Sequence, residues 1–108
     1  MIEAINDKLS NYDDGIKDLF ESLRSIIFEI EPNVEERMWA GLPSYYKGNN
    51  FIRLIPFKTY INIEARSTLS YVDELKEYKI TPKGMLKITS YEQVSRDLLG
   101  KIFLGTLA

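Results

Sequence analysis

The clearest pattern of apolar positions along the chain runs from residue 16 to residue 30. Seven apolar residues recur there at helical spacing: Ile16, Leu19, Phe20, Leu23, Ile26, Ile27 and Ile30. At about 100° per residue they form one stripe centred on Leu23, which predicts a long amphipathic helix facing a core. Pro32 ends this helix, because proline disfavours helical geometry at the residue before it. Phe28 projects to the other side of the helix, where we expect another element to cover it.

Shorter patterns predict further helical segments on both sides of this helix. Residues 2–10 and residues 68–78 carry apolar positions at a spacing of three or four, which is typical of short amphipathic helices. A capping box of Ser90 with Gln93 opens a terminal helix. A similar pair, Asn33 with Glu36, predicts that a new helical turn begins just after Pro32.

Between these segments the chain changes to β character. We expect strands at residues 44–47, 51–55, 60–65 and 85–89, separated by turns rich in Gly, Asn and Pro. Residues 60–65 alternate cleanly between apolar and polar side chains, so every second one faces a core. If the middle two strands pair, Ile52 and Leu54 share the face of Ile61 and Ile63. The expected registers place Ile52 opposite Ile61 or Ile63.

This order of elements predicts a single domain over residues 1–108 with an α+β fold. Tight turns between successive strands favour a mostly antiparallel sheet, and two main amphipathic helices suffice to cover one of its faces. We therefore expect a two-layer sandwich with the N- and C-terminal helices packed on one face of the sheet. The other face then displays Phe51, Arg53, Tyr60, Asn62 and Glu64, with Lys47, Arg66 and either Tyr45 or Tyr46 nearby.

Composition narrows the chemistry that the chain can perform. The 108 residues include no cysteine, which excludes disulfides and thiolate metal sites, and no histidine, which removes the commonest general base. The N-terminal residues lack the apolar core of a signal peptide, and no apolar run approaches the ~20 residues of a membrane span. These features favour a cytoplasmic protein that is not an enzyme, without contact to a membrane.

Charge is distributed unevenly along the chain. The net charge is −2, yet residues 1–36 carry ten acidic against three basic residues, and the remainder carries a basic excess. Either the two parts attract each other within the fold, or each faces a partner of its own.

The segment from residue 36 to residue 63 also resembles the YdhG-like family of small bacterial proteins. The resemblance is carried by Glu36-x-x-x-x-Gly41-Leu42-Pro43-x-Tyr45, by a hairpin ending in Pro56-Phe57-Lys58, and by Ile61-x-Ile63. The order of the flanking helices and of the Gly84–Ile88 strand fits the same family, so the resemblance spans nearly the whole chain. Two departures stand out: Ala40 precedes the glycine where an aromatic is usual, and Tyr60 occupies a place where family members often carry histidine.

The resemblance implies a frataxin-like fold, and for some members an iron chaperone that delivers iron to an iron–sulfur or haem assembly protein. Iron would then be the bound metal. Frataxins place an acidic ridge on their first long helix, and Asp14, Asp18 and Glu21 occupy a comparable position on one side of the long helix here. Carboxylates of this kind suit hard cations, although a solvated helix surface explains the same residues. Glu36 and Lys58 are the polar residues of the family pattern, and they form either a binding pocket or a structural salt bridge.

Two functions remain open from the sequence. The first is a non-enzymatic, iron-binding chaperone that uses Asp14, Asp18 and Glu21. The alternative is an interaction module that binds through Phe51, Arg53 and Tyr60, with a homodimer, a protein partner or a small molecule preferred over nucleic acid because the chain is acidic overall. Since neither Arg53 nor Tyr60 points inward in this arrangement, replacing Arg53 by Glu and Tyr60 by Ser should weaken association with little effect on stability.

Overall fold

The computed structural model describes residues 1–90, 92 and 95–108, and within these residues it shows helices on both sides of a run of strands in the sequence. The helices are α1 (Glu3–Leu9), α2 (Asp14–Ile30), a 3-10 helix (Arg66–Tyr71) and α3 (Arg96–Leu107). The strands are β1 (Glu35–Trp39), β2 (Leu42–Lys47), β3 (Asn50–Pro56), β4 (Tyr60–Glu64), β5 (Lys79–Ile80) and β6 (Leu86–Thr89). None of the helices in the described part of the chain is long and apolar enough to cross a bilayer.

The strands form one six-stranded sheet in the order β1-β2-β3-β4-β6-β5, and every pair in it is antiparallel. Successive strands from β1 to β4 are joined as hairpins. Ala40 and Gly41 both have positive φ and close the first hairpin as a two-residue turn, a conformation that glycine adopts at no steric cost. The predicted α+β sandwich with a mostly antiparallel sheet is therefore confirmed.

The long helix α2 forms as the apolar pattern predicts. The Asp13 side chain caps its first turn by accepting a hydrogen bond from the Ile16 amide at 3.0 Å. Six of the seven stripe residues are buried, and Ile30 is partly buried against the same core. On the other side of the helix, the Phe28 ring meets the Tyr45 ring of β2 edge to face, with centroids 6.0 Å apart.

The core lies between the helices and one face of the sheet. Its sheet side consists of fully buried residues at alternate positions: Tyr45, Ile52, Leu54, Ile61, Ile63, Leu86 and Ile88. The predicted shared face of β3 and β4 is confirmed. The register differs from the expected ones, because Leu54 lies opposite Ile63 and Pro56 opposite Ile61. A shift of two residues keeps every side chain on its predicted face.

Two predicted helical segments are wrong. Residues 33–36 do not begin a helix, because Glu35 and Glu36 enter β1 and pair with β2. Within residues 68–78 only the first part is helical, as the end of the 3-10 helix, and turns follow it. Leu75 is buried there, but Leu69 and Val72 are 62% and 45% exposed, so the three-residue spacing does not mark one buried face. The predicted cap of Ser90 with Gln93 lies outside the described residues.

The 3-10 helix packs closely against the C-terminal part of α3. The Thr106 hydroxyl accepts a hydrogen bond from the Ser67 amide at 3.2 Å and donates one to the Ile102 carbonyl at 2.8 Å. A Cβ added at Gly105 would come within 2.9 Å of the Ser67 hydroxyl, closer than real Cβ atoms approach. A side chain at position 105 would therefore require the Ser67 hydroxyl to move away, so glycine favours this close approach of α3 to the 3-10 helix.

Candidate functional site

The face of the sheet opposite the core carries interleaved aromatic and charged side chains. We call this surface the open face and define it by residues at alternate strand positions: Glu35, Arg37, Trp39, Tyr46, Phe51, Arg53, Tyr60, Asn62, Glu64, Lys79 and Lys87. The predicted residues Phe51, Arg53 and Tyr60 all lie on it. Trp39 and Arg37 join them because residues 35–39 form a strand rather than a helix.

Arg53 is the centre of the open face. Its guanidinium carbon lies 4.0 Å from the centroid of the Trp39 ring and 3.8 Å from that of the Phe51 ring. Its Nη1 donates to Glu64 Oε1 and its Nη2 donates to the Tyr46 hydroxyl, both at 3.1 Å. Although Arg53 is on the face without helices, only 6% of its surface is exposed. This burial argues against the expectation that replacing Arg53 by Glu together with Tyr60 by Ser has little effect on stability.

Two further cation–aromatic pairs lie on either side of Arg53. Arg37 lies over the Tyr46 ring at 3.9 Å, and the Lys87 ammonium nitrogen lies 4.3 Å from the centroid of the Tyr60 ring. Tyr60 also stacks on Phe57 of the preceding turn, with ring centroids 4.7 Å apart and planes inclined by 16°. Each cation–aromatic pair contributes about 0.5–1 kcal/mol at an exposed site. The open face is thus a surface on which charged groups and aromatic rings pair with one another.

Of the neighbours that the sequence placed near this face, Tyr46 and Arg66 lie at it, Arg66 beside Phe51 and Glu64 at one end, whereas Tyr45 and Lys47 lie elsewhere. Tyr45 is fully buried in the core, because strand alternation sends Tyr46 rather than Tyr45 outward. Lys47 pairs with Glu31 at the end of α2, and hydrogen bonding from Lys47 holds the pKa of Glu31 below its ordinary value. Arg66 donates to the backbone carbonyls of Thr106 and Ala108 at the end of α3.

Glu36 points to the helical side of the sheet and pairs with Arg24 of α2. Arg24 Nε donates to Glu36 Oε2, and the Ile2 amide donates to Oε1 at 2.9 Å, so Glu36 joins β1, α2 and the N-terminal segment. Burial opposes ionisation of Glu36, but these hydrogen bonds outweigh it and hold its pKa below the ordinary value. The Tyr45 hydroxyl lies beside the pair, and burial raises the pKa of Tyr45.

Glu36 and Lys58 are not brought together. Lys58 lies exposed in the turn between β3 and β4, whereas Glu36 is occupied by Arg24. Glu36 therefore has a structural partner, although not the capping role that the sequence suggested. Lys58 borders the open face next to Phe57.

Replacing Glu36 by Gln should lower the free energy of unfolding by about 1.5–3 kcal/mol at neutral pH, the range for hydrogen bonds to charged groups. Because the folded-state pKa of Glu36 lies below its ordinary value of 4.5, its contribution is present above that pH. The contribution is lost as the pH falls through the lower, folded-state pKa. Urea unfolding between pH 7 and pH 3 measures this. The free energy of unfolding of the parent should fall more steeply in acid than that of the Gln variant. Parallel dependence on pH in the two proteins would contradict the stabilising role assigned to ionised Glu36.

The three acidic side chains predicted to bind iron on α2 are not arranged as a metal site. Asp14, Asp18 and Glu21 are all exposed on the helix. Among the described residues, no group of three or more His, Cys, Asp or Glu side chains is arranged to hold a metal ion. Iron binding by the trio stays a prediction, which anaerobic Fe(II) calorimetry on the parent and on an Asn/Asn/Gln variant of the trio would test.

Comparison of the chain with protein-family models, with curated proteins and with solved structures finds no match. The resemblance to the YdhG-like family therefore stays a resemblance, and the open face is the feature of this chain that points to a function.

Proposed function

We propose that this protein is a non-enzymatic binding module that contacts an acidic partner protein through the open face. The observation that carries the proposal is the cluster in which Trp39 and Phe51 enclose Arg53. Trp39 remains 52% exposed and Phe57 39% exposed at the same surface. Trp, Tyr, Phe and Arg are the residues enriched in the contact areas of protein interfaces.

The charge of the open face indicates what kind of partner it accepts. The charge of Arg53 is balanced by Glu64. The charge of Arg37 is balanced by Glu35, whose Oε1 lies 3.4 Å from Arg37 Nη1. Lys79 and Lys87 lie directly opposite each other on β5 and β6 and account for the basic excess of the open face. Glu77 and Glu92 line the same depression as these lysines, but neither forms an ion pair with them in the described part of the chain. A second copy placed face to face would present the same excess of positive charge. An acidic surface with an apolar centre complements the open face better than a second copy does.

Trp39 gives a direct test, because it is the only tryptophan in the chain and lies on the open face. Binding of a peptide of alternating glutamate and leucine should shift the Trp39 fluorescence to shorter wavelength, because the peptide covers the half-exposed ring. A lysine–leucine peptide of equal length should not. Replacing Lys79 and Lys87 by Glu should weaken binding of the acidic peptide at least about tenfold, or about 1.4 kcal/mol.

The matched control replaces Lys8 and Lys101 by Glu, which makes the same charge change on helices of the other layer. That variant should bind the acidic peptide as the parent does. Equal responses to both peptides would contradict the proposed charge preference. A fluorescence shift on raising the protein concentration alone, matched by a rise in sedimentation coefficient, would make a homodimer the occupant instead.

A further inference from the structure

A pocket of roughly 210 Å³ opens at one end of the open face, where the β2–β3 turn, the end of β4, the 3-10 helix and the turn before β6 meet. The side chains that matter for its chemistry are Asn50, Phe51, Glu64, Arg66, Leu69 and Lys83. This volume is about that of seven water molecules in the liquid, so the pocket suits a very small ligand.

The polar walls of the pocket are held in place by the end of α3. The Asn50 side-chain amide donates to the carbonyl of Ala108 at 2.9 Å, and Arg66 Nη2 donates to the carbonyl of Thr106 at 2.8 Å. The Asn50 oxygen and the remaining nitrogens of Arg66 are not used by these bonds. Preorganised groups of this kind bind without a large cost in side-chain entropy.

The wall shared with the open face is also held by contacts within the protein. Phe51 is held under the Arg53 guanidinium, and Glu64 is engaged by the same residue through Oε1 only. The Phe51 ring and the exposed Leu69 supply apolar surface, while Glu64 Oε2 remains as a carboxylate acceptor.

Opposite charges therefore line one small cavity. Glu64 is the acidic group, Arg66 is one basic group, and Lys83 is an exposed second one that pairs with no carboxylate in the described part of the chain. We propose that this pocket binds a small zwitterion with an apolar side group, as in a free aliphatic amino acid. The carboxylate of the ligand pairs with Lys83 and Arg66, its ammonium group pairs with Glu64, and its side chain packs on Phe51 and Leu69. This site goes beyond the proposed function and does not depend on it.

The test uses three probes that differ by one charged group: leucine, 4-methylpentanoate, which lacks the ammonium group, and 3-methylbutylamine, which lacks the carboxylate. Two-dimensional NMR of the parent protein reads the amide signals of Asn50, Phe51 and Gly84. Leucine should shift these signals and saturate, and each analogue should bind at least about tenfold more weakly.

Two variants separate the two charge contacts. Replacing Lys83 by Gln should weaken binding of leucine and 4-methylpentanoate but leave binding of 3-methylbutylamine unchanged. Replacing Glu64 by Gln together with Arg53 by Met, so that no buried guanidinium loses its counter-ion, should weaken binding of leucine and 3-methylbutylamine but leave binding of 4-methylpentanoate unchanged. Lys76→Gln, at an exposed lysine outside the pocket lining, is the control and should bind as the parent does. Equal binding of all three probes, or no shift at these amides at millimolar leucine, would overturn the proposal. The Trp39 response to acidic peptide is measured separately, so failure here leaves the proposed function untouched.

Discussion

Replacing Leu23 by Ala is expected to lower the free energy of unfolding by about 2–5 kcal/mol, through lost burial and the cavity that remains. Leu23 lies at the centre of the α2 stripe and has no exposed surface. For a chain of this size the melting midpoint should fall by roughly 10 °C or more. Thermal and urea unfolding followed by circular dichroism measure both quantities.

The matched control for this change is Leu104→Ala in α3. It removes the same atoms from the same residue type in a helix, but Leu104 is 56% exposed. Its effect on stability should be within about 1 kcal/mol of zero, as for most surface substitutions. Similar losses in the two variants would show that the α2 stripe does not carry the core.

Elements with a strong, regular pattern were predictable from the sequence. The α2 stripe is long enough for helical periodicity to be unambiguous, and its six buried residues are among those predicted. The faces of β3 and β4 follow from period-two alternation, which survives a register shift of two residues. The sequence did not determine the register, because two pairings that differ by two residues bury the same side chains.

The strand β1 could not be recognised in the same way. Its inward positions are Glu36 and Met38, and its outward positions include Trp39, so the usual alternation of apolar inward and polar outward residues is broken at Glu36 and at Trp39. Glu36 is accepted on the inner side because Arg24 pairs with it. That pairing is a long-range contact, and local propensity at Asn33 to Glu36 favoured a helix start instead. The missed strand also hid Trp39 from the predicted binding surface.

The sequence placed Arg53 on the correct face but not in the correct environment. Alternation shows which side of a sheet a residue occupies, and it does not show that two aromatic rings from neighbouring positions will enclose it. Trp39 and Arg53 meet only because β1 and β3 both pair with β2. The burial of Arg53 on a face without helices therefore depends on the packing of three strands, which local sequence does not show.

Replacing Arg53 by Glu is accordingly expected to destabilise the fold by about 3–5 kcal/mol, because it leaves an uncompensated charge at a buried position. The new carboxylate would lie beside Glu64 with no counter-ion and would remove the cation between Trp39 and Phe51. Urea unfolding monitored through Trp39 measures the loss of stability. It also reports the altered surroundings of the indole in the native state.

Arg37→Glu provides the comparison that isolates burial. It makes the same charge change on the same face, but the Arg37 side chain is 51% exposed and its pair with Glu35 is open to solvent. Such exposed pairs contribute about 0–1 kcal/mol, so this variant should remain nearly as stable as the parent. Replacing Arg53 by Met together with Glu64 by Gln removes both charges while keeping the volume, and should recover most of the loss. If Arg53→Glu were as mild as Arg37→Glu, the guanidinium would not be enclosed in solution, and the role of Arg53 as the buried centre of the open face would be wrong.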